Sequence, residues 1–196
     1  MEASEKVRIA AVIGSVREGN YTAKAMKVVT DEFRKYPNIA LDLIDPAEIE
    51  LLPPGRNPGT QALDRVRSVV SEATGLVIST PEYHGSYSSV IKLIIENLDF
   101  PSAMAGKPVA LLGVAAGRIG AIKALEHLRS VCSHVGAIVL PGPVSVAQVK
   151  RAFDAEGNCL DPAVEERLRG LAGNLIDYIR DHICPEASLE QMVRSE

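Results

Sequence analysis

The sequence predicts an α/β chain: a three-layer sandwich with helices on both faces of a five-stranded parallel sheet in the order 2-1-3-4-5. Three observations carry this. Short apolar runs of strand length alternate five times with segments whose apolar residues recur at helical spacing. That is the pattern of repeated β-α units, and right-handed crossovers leave only a few strand orders for it. The first run, residues 7–13, is almost continuously apolar, as a strand covered on both faces must be. Finally, the segments that follow the first, third and fourth runs have the unusual compositions, and the order 2-1-3-4-5 brings those three strand ends together at the switch point of the sheet.

Each element follows from local residues. Residues 7–13 form the first strand, and a helix over 22–36 ends at Pro37-Asn38. Residues 39–44 alternate around Asp42, which sets the second strand nearer an edge. Residues 45–60 contain Pro46, Pro53, Pro54, Gly55, Pro58 and Gly59, an irregular excursion suited to a mobile wall over a site or to an oligomer contact. From Gln61, the spacing of Leu63, Val66, Val69 and Val70 marks a second helix. A third strand (75–79) and helix (89–98) precede a fourth strand (108–114) and a helix reaching about Ser133. Residues 137–140 make the fifth strand, closed by Pro141-Gly-Pro143. One or two helical turns at 148–153 and a turn at Gly157 come next. Asp161 as N-cap with Pro162 in the first turn then opens a last helix to about Ile183. Pro185 breaks it, so residues 1–185 read as a single domain and 186–196 as a polar tail.

Composition excludes several functions. A chain of 196 residues with 46% hydrophobic content can bury one full core. The net charge of −4 and pI near 5.6 argue against nucleic acid or an anionic membrane as partner. No apolar run approaches the roughly 18 residues of a membrane span, and Met1-Glu-Ala-Ser-Glu-Lys6 lacks a signal-peptide core. Cys132, Cys159 and Cys184 lie far apart with no Cys-x-x-Cys, as reduced thiols of a cytoplasmic protein do. With 4% aromatic residues and no Trp there is no platform for stacking single-stranded bases.

The loop after the first strand points to a ligand. An apolar run ends at Gly14, a polar stretch carries Ser15, Arg17, Asn20 and Thr22, and a helix then opens. A helix N-terminus offers unpaired N–H groups and a positive dipole end, and hydroxyl and guanidinium donors beside it suit a phosphate monoester. The loop has neither Gly-x-x-x-x-Gly-Lys-Ser/Thr nor Gly-x-Gly-x-x-Gly, which argues against a nucleoside triphosphate and a dinucleotide pyrophosphate. Flavin mononucleotide (FMN) is the obvious singly phosphorylated cofactor for a doubly wound sheet.

Gly14-Ser-Val-Arg17, Pro81-Glu-Tyr-His-Gly-Ser86 and Gly117-Arg-Ile-Gly120 together resemble the NADPH-dependent FMN reductase family, a flavodoxin-like group that includes quinone, azo-dye and chromate reductases. The resemblance spans roughly residues 7–140. It implies that Ser15, Arg17, Asn20, Tyr21 and Thr22 hold the FMN phosphate. Pro81, Glu82, Tyr83, His84 and Gly85 would lie along the isoalloxazine, and Ala115, Ala116, Gly117 and Arg118 would edge the ring system. Two positions depart from the family pattern: His84 stands where Asn is usual, and Asp99-Phe100 where Asp-Trp is common, at a subunit contact. The family forms dimers or pairs of dimers with the flavin near a subunit boundary, so a homodimer or homotetramer is implied. The apolar surface of residues 87–100 accords with that, or with a deeply buried helix.

The flavin would carry the redox chemistry, so no catalytic side chain and no metal are expected, and no triad or carboxylate pair is evident. The chain must anchor the phosphate, support one ring face and meet the negative charge that reduction places near N1 and C2. Backbone N–H groups of Tyr83 to Gly85 are suited to the last task. NADPH or NADH would be the co-substrate, and FMN, a quinone, an azo compound or a similar small molecule the electron acceptor. Arg17 and the modest net charge favour such a reductase over an FMN electron carrier; a flavin-free flavodoxin-like binding module is a third reading. Glu82 suits either a flavin contact or an ion pair at a subunit boundary. Arg118 suits either a pyridine-nucleotide phosphate or an interface salt bridge. His127, His134 and His182 read as ordinary surface or core residues.

Overall fold

The computed structural model describes residues 7–56 and 60–183. The first six residues, Pro58, Gly59, Cys184, Pro185 and the expected tail at 186–196 lie outside them. The strands are β1 (Val7–Val12), β2 (Ile39–Ile44), β3 (Gly75–Pro81), β4 (Pro108–Val114), β5 (Ile138–Val139) and β6 (Val144–Val146). The helices are α1 (Tyr21–Phe33), α2 (Gln61–Glu72), α3 (Ser89–Glu96), α4 (Ile122–His134), α5 (Val149–Ala152) and α6 (Pro162–Tyr178), the last continuing as a π-turn over Ile179–Ile183. No described helix is long and apolar enough to cross a membrane.

All strand pairs are parallel and the order is β2-β1-β3-β4-β5, as the sequence predicts. Alternation along β1 sorts the two cores. Ile9, Ala11 and Ile13 face a cluster with α1, α5 and α6 residues such as Met26, Phe33, Val149, Leu168 and Leu175. Ala10 and Val12 face the opposite cluster, with Val66, Ile91, Ile94, Leu125 and Leu128 of α2, α3 and α4. Both faces of β1 are thus covered, which is why its sequence is apolar at successive positions. β2 sits at the edge as expected: Asp42 is open enough to pair with Arg8 at 3.1 Å, and Leu43 is 46% exposed.

Two details differ from the sequence reading, and a third decides between two of its alternatives. The far edge of the sheet holds a sixth strand. Pro141 and Pro143 have no N–H to donate and so interrupt the edge, but beyond them β6 resumes parallel to β4, pairing Val144 to Val146 with Leu112 to Val114. Pro141-Gly-Pro143 therefore interrupts the edge where the sequence had suggested an end. The described residues of the excursion at 45–60 also form no part of the cleft lining at the carboxyl ends of β1, β3 and β4. Ile49 and Leu51 pack on the α2–α4 core, and the Leu52 carbonyl accepts from Asn97 Nδ2 at 3.0 Å. Of the two readings of residues 87–100, the buried helix accounts for most of the apolar content: Ile91, Ile94, Ile95 and Leu98 are buried, while Phe100 is 97% exposed.

Close helix–sheet approach sets the position of the first loop. A Cβ at Gly14 would collide with the Ser79 carbonyl oxygen and lie 2.8 Å from Ile91 Cγ1. Gly170 in α6, in contrast, has open space where a Cβ would go. Chemical denaturation should therefore show opposite signs: Gly14→Ala loses about 3 kcal/mol through overpacking against backbone, whereas Gly170→Ala gains about 0.5–1 kcal/mol from helix propensity.

Candidate active site

A cleft of about 360 Å³ opens at the carboxyl ends of β1, β3 and β4. This is where a doubly wound sheet binds ligands, and the volume falls within the usual range for small-molecule sites. Its lining includes Ser15, Arg17, Asn20, Tyr21 and Thr22 from the first loop, Pro81, Glu82 and Tyr83 from the second, and Ala115 and Ala116 from the third. His84, Gly85, Gly117 and Arg118 follow directly in those loops but do not line the cleft.

The first loop is shaped to leave donors free. Asn20 is the N-cap of α1: its Oδ1 accepts from Ala23 N–H at 2.7 Å, and its Nδ2 donates to the Arg17 carbonyl at 2.8 Å. The side chain thus fixes the loop from within, and the first-turn N–H groups of Tyr21 and Thr22 have no helical acceptor. Ser15 and Thr22 are 2% and 1% exposed while lining the cleft. The Arg17 guanidinium carbon sits 4.6 Å from the Tyr83 ring centroid, a cation–π contact that joins the first loop to the second.

The second loop is a tight turn. Tyr83 N–H donates to the Ser86 carbonyl at 2.9 Å and Ser86 N–H returns to the Tyr83 carbonyl at 3.1 Å. His84 and Gly85 between them have φ of 51° and 77°. Two successive positive φ values define a type I′ turn, whose first central position favours Asn because Asn tolerates the left-handed region. His shares that tolerance to a lesser degree, which accounts for His84 at a position where Asn is usual. Ser86 Oγ lies 3.0 Å from His127 Nδ1, so α4 braces the end of the turn. The Tyr83 N–H is occupied inside the turn and the Glu82 N–H donates to the Val114 carbonyl at 2.9 Å. Of the donors expected from Tyr83 to Gly85, only those of His84 and Gly85 are therefore left for a ligand.

Glu82 has a role that its sequence context does not reveal. Ala121, at the N-cap position of α4, provides no side-chain cap, and Glu82 Oε2 accepts from Ala124 N–H at 3.2 Å instead. A carboxylate from the second loop thereby caps the helix that follows the third. The third loop is held from the other side. Ala115 N–H donates to the Val146 carbonyl (2.9 Å), Val149 N–H to the Ala115 carbonyl (3.0 Å), and Gln148 N–H to the Gly117 carbonyl (3.0 Å).

Those contacts bring in residues that the sequence reading passed over. Glu18, Gly19, Val114, Val149 and Lys150 also line the cleft. Glu18 and Gly19 belong to a loop already singled out; Val149 and Lys150 arrive through β6. A Val-Ser-Val run three residues past the expected strand end was the available signal for that strand. Elsewhere, burial pushes the Cys132 thiol up to about 12, so it stays a neutral core group. Among the described residues no group of three His, Cys, Asp or Glu side chains is placed to hold a metal ion.

A family model described as NADPH-dependent FMN reductase matches residues 7–151. An NAD(P)H-dependent FMN reductase of Pseudomonas aeruginosa is 30% identical over 178 residues, spanning 85% of this chain and 91% of the relative. A 2-hydroxy-1,4-benzoquinone reductase of a Burkholderia species is 25% identical, over 89% and 97% of the two chains. Among solved structures, the flavoenzyme NAD(P)H:(acceptor) oxidoreductase of Paracoccus denitrificans superimposes with a TM-score of 0.76 at 24% identity, covering 90% of this chain and 98% of that one, and so shares the fold.

Two substitutions check the second loop. His84→Asn should leave the thermal midpoint unchanged or raised, whereas His84→Val, β-branched at positive φ, should lower stability by about 1–2 kcal/mol. Glu82→Ala should cost about 1 kcal/mol through the lost cap on α4, measured by chemical denaturation of the purified protein.

Proposed function

This chain belongs to the NADPH-dependent FMN reductase family, and from that premise we propose that its cleft holds FMN and serves an NAD(P)H-dependent reductase of small-molecule acceptors. The observation that supports this reading most is the meeting of three loops, distant in sequence, around one cleft with a polar end and an apolar wall. The polar end fits a phosphate monoester: buried Ser15 and Thr22, the free N–H groups of Tyr21 and Thr22, and Arg17 supply donors of the right sign. Asn20 keeps those N–H groups exposed to the ligand by capping α1 at Ala23. The wall of Pro81, Tyr83, Ala115, Ala116 and Val149 fits a flat aromatic ring system.

When bound, FMN supplies the hydride and electron transfer between NADPH or NADH and the acceptor. The chain's contribution is placement and electrostatics. The N–H groups of His84 and Gly85, free of internal partners among the described residues, follow the lining residue Tyr83 just outside the cleft and are the nearest backbone donors for negative charge at a bound ring. Gly117 and Arg118 stand at the rim beside Ala116, where Arg118 is free to meet an incoming anionic co-substrate. The acceptor is a small planar oxidant such as free FMN, a quinone or an azo compound, taken up at the open side of the cleft. In this reading the enzyme works in the cytoplasm as a homodimer or homotetramer, and the outward Phe100 beside α3 supports self-association.

Absorbance under anaerobic conditions tests the assignment. The FMN-loaded protein should lose its flavin bands on addition of NADPH or NADH and regain them when a quinone is added. Retention of the oxidised spectrum with both nucleotides would remove the reductase and leave an FMN carrier; failure to bind FMN would remove both.

A further inference from the structure

We propose that Lys150 is the second cation at the phosphate end of the cleft and the residue that makes the site select FMN over unphosphorylated riboflavin. The proposal rests on the reading that the cleft binds FMN. It begins with a charge imbalance. The ionisable acid and guanidinium groups lining the cleft from the first two loops are Arg17, Glu18 and Glu82, one cation against two carboxylates. A phosphate monoester carries about −1.5 to −2 at neutral pH, and the N-terminus of α1 returns only about half a positive charge. Such a lining would disfavour the dianion. Lys150 restores neutrality, and among the described residues no carboxylate lies within ion-pair distance of it.

Position assigns Lys150 to the phosphate end. α5 packs into the core on the α1 side of the sheet, where Val149 and Ala152 join Ala25, Met26 and Val29. The chain just beyond α5 touches the first turn of α1 directly: Lys24 Nζ donates to the Asp154 carbonyl at 2.7 Å and to the Ala155 carbonyl at 3.0 Å. That contact sets the end of α5 beside the start of α1, so among the ends of the cleft it lines, Lys150 is assigned to the one bounded by Tyr21 and Thr22.

The backbone is bent to put it there. Gln148 is left-handed (φ 46°, ψ 39°), an uncommon conformation for a residue other than Gly, Asn or Asp. It is held by its N–H on the Gly117 carbonyl, by the adjacent Val149 N–H on the Ala115 carbonyl, and by Arg151 N–H on its own carbonyl at 2.8 Å. This bend starts α5 against the third loop, burying Val149 and leaving the next side chain, Lys150, on the cleft. Strain retained under three hydrogen bonds accords with a binding role.

Fluorescence titration of flavin-free protein with FMN and with riboflavin, at two salt concentrations, tests this. Lys150→Gln should weaken FMN binding about tenfold, as loss of one charge-assisted contact does, leave riboflavin binding unchanged, and reduce the salt dependence for FMN. Lys150→Arg should keep FMN affinity within about threefold of the parent. Equal weakening of both flavins, or unchanged FMN affinity in Lys150→Gln, would overturn the assignment while leaving the cleft's function standing. If the parent protein binds neither flavin, the functional reading itself falls and this assignment with it.

Discussion

One buried hydroxyl fastens the first two of the three loops to each other. Ser88 is 2% exposed, and its Oγ donates to the Gly14 carbonyl at 2.6 Å while accepting from Ile91 N–H at 3.3 Å. Its own N–H donates to Thr80 Oγ1 at 3.0 Å. A single residue therefore caps α3, ties the end of β3 to the segment after it, and fastens the first loop to the second. Each of these polar groups sits where water is excluded, so leaving any of them unpaired would cost about 1–3 kcal/mol. Next to it, Ser79 Oγ on the Val12 carbonyl at 2.9 Å repeats the same link one step deeper in the sheet.

Above this floor the site is assembled by exchanges between neighbouring loops. Glu82 leaves the second loop to cap α4, Arg17 leaves the first to lie on Tyr83, and His127 reaches from α4 to Ser86. No loop is shaped by its own residues alone. The result is a rim whose shape is fixed by contacts within the chain itself.

The sixth strand has a consequence out of proportion to its three residues. By pairing with the last residues of β4 it carries the chain back to the carboxyl edge of the sheet, and Ser145 Oγ there accepts from Ala121 N–H at 2.9 Å. The third loop is thus clamped between Glu82 on one side and the β6–α5 segment on the other. Without that return the cleft would lack its fourth wall, including the only lysine that lines it among the described residues.

Much of this was legible in the residues. Continuous apolar runs dictate strands buried on both faces, and Asn20, Thr60, Ser88 and Asp161 each cap the helix that follows them, as small polar residues at such positions do. Those local rules determined the helices, most of the strands and the composition of the three loops, and with right-handed crossovers they left only a few strand orders to choose from. Local rules are silent on what depends on pairing across the fold. That Tyr83 N–H is occupied, that Glu82 caps a helix about forty residues away, and that β6 extends an edge beyond two prolines were all decided by tertiary contacts. A backbone hydrogen bond is assigned by whichever partner arrives in space, and sequence distance carries no record of it.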